Sequence, residues 1–294
     1  MREQPAGLML SCVDTMTTHT YTPTHSIANE STYVFDQAWH KELRRLRSIE
    51  AMFDPASQRH LTARGIGPGW HCLEVGCGGG SVAQWLADRV GPSGSVLATD
   101  LDPRFLDGHG RGNLSVIRHD LTRDTLEPAS FDLIHARAVL IHIRERQAAL
   151  ARLVAALRPG GWLLIEDVDF GGAAATMISR YTVPTQEAAT CERIYHAVAA
   201  VFAEIGADAT FGSQLPALLT AAGLEDVGAE VHAPLMSGDT PDGWVPLSFE
   251  HLLPRVRGAG LLAEAEFEPA FLADQKGRYL PPFMVTAWGQ RAPG

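Results

Sequence analysis

Glu74, Gly76, Gly78, Gly80 and Asp100 have types and spacing suited to a nucleotide-like ligand. Glu74 lies in an apolar run, and three glycines follow at alternate positions before a helical segment, Val82 to Val90. This pattern predicts a strand, a tight turn and a helix N-terminus. Glycine lets the backbone take positive φ and approach a ligand closely. The unpaired N–H groups of a helix start favour polar or anionic ligand groups. A second apolar run, Ser95 to Thr99, ends at Asp100, twenty residues after Gly80. In doubly wound nucleotide folds an acid at the end of the second strand takes the ribose hydroxyls. One carboxylate can accept both hydrogen bonds of a vicinal diol. Asp102-Pro103 has the form of a helix cap followed by proline at the first helical position. Asp100 is therefore read as the ribose ligand and Asp102 as the cap.

Two nucleotide folds compete for this turn. The dinucleotide fingerprint G-x-G-x-x-G/A would need glycine or alanine where Ser81 stands. Gly80 instead gives G-x-G-x-G, with Glu74 two residues before the first glycine. Three more strands follow. Leu114 to Arg118 leads into His119-Asp120-Leu121, and Phe131 to His135 leads into Ala136 to His142. A helix carrying Arg152, Leu153, Ala156 and Leu157 is closed by Arg158-Pro159-Gly160-Gly161, ahead of a fifth strand, Trp162 to Asp167. Proline and glycine at that point end a helix and admit a strand.

In this order the five blocks resemble those of the class I S-adenosylmethionine (SAM) methyltransferases, within them a bacterial small-molecule, natural-product-type group with a helical N-terminal cap. The resemblance is strong over about residues 55–170 and weak beyond. It implies an α/β fold: a doubly wound, Rossmann-like sheet of seven strands in the order 3-2-1-4-5-7-6, the last strand antiparallel, with a helical cap and helical insertions. It implies SAM as cofactor and S-adenosylhomocysteine as product. The matching positions imply cofactor contacts from Glu74, Gly76, Gly78, Gly80, Asp100 and Leu101. Asp120 and Leu121 fall where the family meets adenine, and His135 falls beside the methionine end, where its carbonyl could serve the amino group. Tyr33, whose ring could attract a sulfonium, joins this set, although a core contact of the first helix is the simpler reading.

Methyl transfer from SAM is an in-line displacement, so alignment and desolvation are the protein's main tasks. A base would help a phenol, acid or amine acceptor. The catalytic candidates are His142, Asp167 and His135, with Glu166, Asp169, Tyr181 and His196 as further titratable groups. A histidine in an apolar run such as that around His142 is more often a packed core residue. The expected activity is methylation of O or N, less readily C, in a small organic molecule of secondary metabolism. The alternative is a protein of this fold that uses SAM non-covalently for a cyclisation or rearrangement.

The chain has 294 residues and a formal net charge of −10, which gives no counterion-release drive toward nucleic acid. Its basic run, Lys41 to Arg47, reads as a solvated helix face over buried Leu43 and Leu46. No apolar run reaches membrane-span length, and the four cysteines form no C-x-x-C pair. A cytoplasmic protein without metal, membrane or nucleic-acid partner is expected. Residues 1–30 read as a flexible tail or partial lid, 31–66 as a helical cap and 67–170 as the cofactor-binding core. After a small-residue loop, Gly171 to Ala175, residues 171–294 should supply lid helices, the remaining strands and a helical insertion of the same domain. The cap is read as two helices, Ser31 to Phe53 and another starting at Asp54-Pro55. The insertion from Trp244 to Lys276 offers an apolar face that would either cover the sheet or pair two copies as a homodimer.

Overall fold

The structure is a computed structural model that describes residues 35–36, 38–238, 243–268, 272 and 276–294. Tyr33 and the segment 1–30 lie outside the described residues. The strands are β1 (His71–Val75), β2 (Ser95–Asp100), β3 (Leu114–Arg118), β4 (Phe131–Arg137), β5 (Leu157–Asp169), β6 (Glu225–His232), β7 (Met236–Ser237), β8 (Arg278–Tyr279) and β9 (Phe283–Gln290). Seven of them form one sheet in the order β3-β2-β1-β4-β5-β9-β6. The first five pair in parallel, and β9 inserts antiparallel between β5 and β6. This is the order that the resemblance implies, with β9 as the seventh strand. The short β7–β8 pair, which Val183 joins by a bridge to Arg278, had no counterpart in the sequence pattern.

The central strands are nearly continuous apolar runs because both faces of the sheet are covered. Alternate residues divide between the two faces. Leu73, Val75, Ile134, Ala136, Leu163 and Ile165 enter one core, and Cys72, Leu133 and Leu164 enter the other. The helices are α1 (Glu42–Ala63), α2 (Ser81–Val90), α3 (Arg146–Ala156), α4 (Ala173–Ser179), α5 (Ala188–Glu204), α6 (Phe211–Ala221) and α7 (Trp244–Gly258). None of the described helices is long and apolar enough to cross a membrane.

Two expectations are corrected. The cap is one helix, α1, which runs unbroken through Pro55 and starts at Glu42. Proline removes one intrahelical hydrogen bond. Here, however, Pro55 is exposed, and the buried stripe of Ile49, Phe53, Ala56 and Leu61 keeps its phase on both sides. The small-residue stretch 171–175, read as a loop, is helical from Ala173 onward. Only Gly171 and Gly172 stay outside α4, in keeping with the high helix propensity of alanine.

Candidate functional site

The turn after β1 is built by its glycines. Gly76, Gly78 and Gly80 have φ of +67°, +52° and +88°, a region that side chains other than glycine's rarely enter. Two of them also lack room for a Cβ. At Gly76 it would meet Val139 Cγ2 at 2.3 Å, and at Gly80 Leu106 Cδ1 at 2.2 Å. The loop is tied to the end of β2: the Cys77 amide donates to the Thr99 carbonyl at 2.9 Å, and the Gly78 amide donates to Asp100 Oδ2 at 2.9 Å. Asp100 Oδ1 accepts from the Asp102 amide at 3.0 Å. The glycine turn and the strand-two acid, 22 residues apart, thus meet directly. Asp102 caps the 3-10 turn Pro103–Leu106, accepting from the Arg104 amide.

Leu101 follows Asp100 at the rim of the sheet. Asp120 Oδ1 accepts from the amide and hydroxyl of Thr122 at 2.9 and 2.6 Å, so it also shapes its own turn. Leu121 is buried.

The three catalytic candidates occupy different environments. His135 is not at the end of β4, which continues to Arg137. Its ring is fully buried between two carboxylates. Nδ1 lies 2.7 Å from Glu74 Oε2, and Nε2 lies 3.2 Å from Glu166 Oε2. An enclosed ring with both nitrogens engaged is not placed to take a proton from an acceptor. Burial alone would depress its pKa, but the Glu74 charge and the contacts to Glu166 and Glu74 hold it at about 9.

Asp167 is also fully buried. Its Oδ2 accepts from the Ile141 amide at 3.3 Å, which fixes the turn carrying His142. Burial pushes the carboxyl well above its usual range, opposed by the amides of Ile141 and Leu140. Asp167 thus stands behind that turn, away from solvent. His142 is the one of the three that retains some exposure, at 8%. Its ring packs against Phe202 and Phe35 at centroid distances of 5.6 and 6.3 Å. Burial, reinforced by the charges of Arg45 and Arg146, lowers its pKa to about 3, so the ring is neutral at physiological pH. Among the other titratable candidates, Glu166 is buried, Asp169 is nearly so, Tyr181 is 55% exposed, and His196 lies on α5 near Glu192.

The first half of α1 lies on the glycine loop. A Cβ on Gly78 would reach Leu46, and one on Gly79 would reach Glu50. Glu50 Oε1 accepts from the Ser81 amide at 3.2 Å, and Asp54 Oδ1 accepts from the Ser81 hydroxyl at 3.1 Å. Arg137 donates to Asp54 Oδ1 and to Ser57 Oγ, both at 2.9 Å. Ser57 donates to Glu166 Oε2, and Thr286 donates to Glu166 Oε1 at 2.7 Å. Ser57, Glu50, Arg137 and Thr286 carry no local signal that marks them as site residues, and Asp54 reads from sequence only as a helix start. One weaker signal was present: Glu74, His135 and Thr286 are single polar residues set into apolar runs, and Glu166 closes the run Trp162 to Ile165. The register brings them to adjacent rungs, pairing Glu74 with His135, Arg137 with Glu166, and Glu166 with Thr286.

Sheet order, glycine loop and strand-two acid together define a doubly wound nucleotide-binding protein. Residues 73–163 match a family described as a methyltransferase domain. The chain is 38% identical over 117 residues to methyltransferase str2 of Strobilurus tenacellus, a match covering 38% of this chain and 41% of that one. It is 32% identical over 116 residues to the nocamycin O-methyltransferase of Saccharothrix syringae, covering 37% and 41%. The chain therefore spans about two fifths of the length of these curated relatives. A putative methyltransferase structure from Bacillus halodurans superposes with a TM-score of 0.53 at 15% identity, covering 80% of this chain and 98% of that one. Residues 73–163 thus form a methyltransferase domain of the class I S-adenosylmethionine-dependent family.

The cofactor of that family is SAM, and the residues present fit it. A turn of three positive-φ glycines, Gly76, Gly78 and Gly80, adjoins a carboxylate anchored by two backbone amides.

Proposed function

We propose that this protein transfers the methyl group of SAM to an oxygen or nitrogen of a small organic molecule, in a reaction of secondary metabolism. The observation that carries the proposal is the Gly76–Gly80 loop, bonded through the Gly78 amide to Asp100. In this reading Asp100 holds the ribose hydroxyls, Asp120 and Leu121 border the adenine, and the glycine loop with Glu74 and Leu101 lines the rest of the cofactor. The bound cofactor supplies an activated methyl group on a good leaving group. The chain's own contribution is to orient both partners and exclude water, because effective alignment lowers the barrier without acid–base chemistry. Helix α1 roofs the loop and shields it. His142, neutral and facing Phe35 and Phe202, is the group placed to hydrogen-bond an acceptor O–H or N–H. Asp167 holds the turn that presents it. The name of the Saccharothrix syringae relative supports oxygen as the receiving atom.

The test is S-adenosylhomocysteine release from SAM in the presence of phenols, carboxylic acids and amines. Release with one acceptor class, together with its methylated product, supports the proposal. Conversion of a panel compound without that release would refute methyl transfer.

A further inference from the structure

Three ionisable side chains are sealed in the sheet face beneath α1. Glu74 is 3% exposed, His135 0% and Glu166 1%. Their surroundings on that face include Cys72, Leu133 and Leu164, all apolar. Burying such groups costs several kcal/mol per ion unless every lone pair and proton is matched, and a well-packed apolar substitute is often no less stable. Here the matching is nearly complete. The imidazole reaches a carboxylate oxygen with each nitrogen, so both nitrogens must carry a proton if both carboxylates are ionised. Glu166 is satisfied on its other sides by Ser57 and Thr286. The arrangement links α1, β1, β4, β5 and β9, and at its β1 end stands Glu74, two residues before Gly76.

We infer that His135 is a positioning residue: by bridging Glu74 and Glu166 it holds the Glu74 carboxylate at the foot of the Gly76–Gly80 loop and so sets the loop's affinity for the cofactor. The inference rests on the cofactor reading given above. The role requires the imidazolium. The charged groups facing it are Glu74 on β1 and Glu166 on β5; Arg137 on β4 acts on both carboxylates, His60 on α1 lies near Glu166, and Asp54 on α1 pairs with Arg137. Burial would raise the Glu166 carboxyl, but the hydrogen bond and charge of His135 hold it down at about 2, while burial pushes Glu74 up. Glu166 is therefore the fixed anion of the set and His135 the group that can lose its proton. Losing it would leave the two carboxylates facing a neutral ring that has one N–H to share between them.

The experiment is calorimetric titration of the full chain with S-adenosylhomocysteine from pH 7 to 10, for wild type, His135→Gln and Thr286→Val. Urea denaturation of each protein confirms that it is folded. The amino group of the ligand titrates against every protein, so the difference between proteins is the readout. Wild type should lose affinity more steeply above about pH 9 than His135→Gln. At pH 7, His135→Gln should bind at least about tenfold more weakly, and Thr286→Val a few-fold more weakly. Thr286→Val keeps the shape of the side chain and removes only a Glu166 partner, so it tests the set if His135→Gln fails to fold. Unchanged affinity and an unchanged pH profile in the folded variants would overturn the inference alone. A folded wild type with no affinity at any pH would overturn the cofactor reading, and the inference with it.

Discussion

Replacing Asp100 by alanine separates a cofactor ligand from a structural cap. In the folded protein Oδ2 accepts from the Gly78 amide at 2.9 Å, and Oδ1 accepts from the Asp102 amide at 3.0 Å. A hydrogen bond to a charged acceptor contributes about 1.5–3 kcal/mol net. Asp100 is half-buried, so water can reach the two amides once the carboxylate is gone, and the lower end applies. Two bonds at about 1.5 kcal/mol each put the folding loss at about 3 kcal/mol. If the same carboxylate holds a ribose diol, two more bonds of this kind vanish from the complex. About 3 kcal/mol of binding corresponds to roughly a hundredfold rise in Kd at about 1.4 kcal/mol per tenfold. Asp100→Asn, which retains one acceptor oxygen, should fall between. Asp102→Ala, which removes the cap on the turn Pro103–Leu106, should lower stability by about 0.5–2 kcal/mol and leave affinity unchanged. The assay is calorimetric titration with S-adenosylhomocysteine, paired with urea denaturation in the same buffer. A folded Asp100→Ala protein that binds within about threefold of wild type would refute the ribose assignment.

Two further outcomes follow from the geometry. Gly76→Ala must hold φ near +67° and place a Cβ 2.3 Å from the stiff, β-branched Val139. It should lower stability by about 1–3 kcal/mol and weaken S-adenosylhomocysteine binding at least about tenfold; equal stability and affinity would show that the loop can open there. His142 sits neutral in the folded protein, with its pKa lowered from 6.5 to about 3, first by burial and then by the charges of Arg45 and Arg146. Below pH 6.5 the unfolded chain takes up a proton that the folded ring refuses. Stability should therefore fall as pH drops from 6.5 toward 3, at up to about 1.4 kcal/mol per pH unit. His60 and His251, also lowered by burial, add to this slope, so the comparison is between wild type and His142→Gln in urea denaturation at several pH values. Parallel curves would mean that the ring is accessible to protons in the native state.

Local chemistry made much of the cofactor half legible. Glycine is the residue that takes positive φ without strain, so G-x-G-x-G after an apolar run points to one kind of turn. A run ending in an acid marks the end of a strand, and Asp-Pro marks a cap. These signals act within a few residues, so β1, α2, β2, β3 and the cap at Asp102 could be read in order. The N-terminal helix was misread for the same reason. Asp54-Pro55 has the form of a local start signal, but packing of the buried stripe on both sides outweighs the single hydrogen bond that Pro55 removes.

The sequence alone determined the glycine loop and the strand-two acid, because each rests on backbone sterics or short-range periodicity, and the resemblance of the five blocks to a known family implied the fold. Only the tertiary structure decided what the polar residues inside the strands do. Glu74 and His135 lie 61 positions apart, Ser57 and Glu166 109, and Glu166 and Thr286 120. Their pairing depends on strand order, on register and on the face that α1 covers, none of which a local pattern specifies. His135 therefore looked like a base at a strand end. The folded sheet instead encloses it between two carboxylates, while His142, five residues beyond Arg137 at the end of β4 and in the 3-10 turn Leu140–His142, keeps a neutral ring among aromatic side chains.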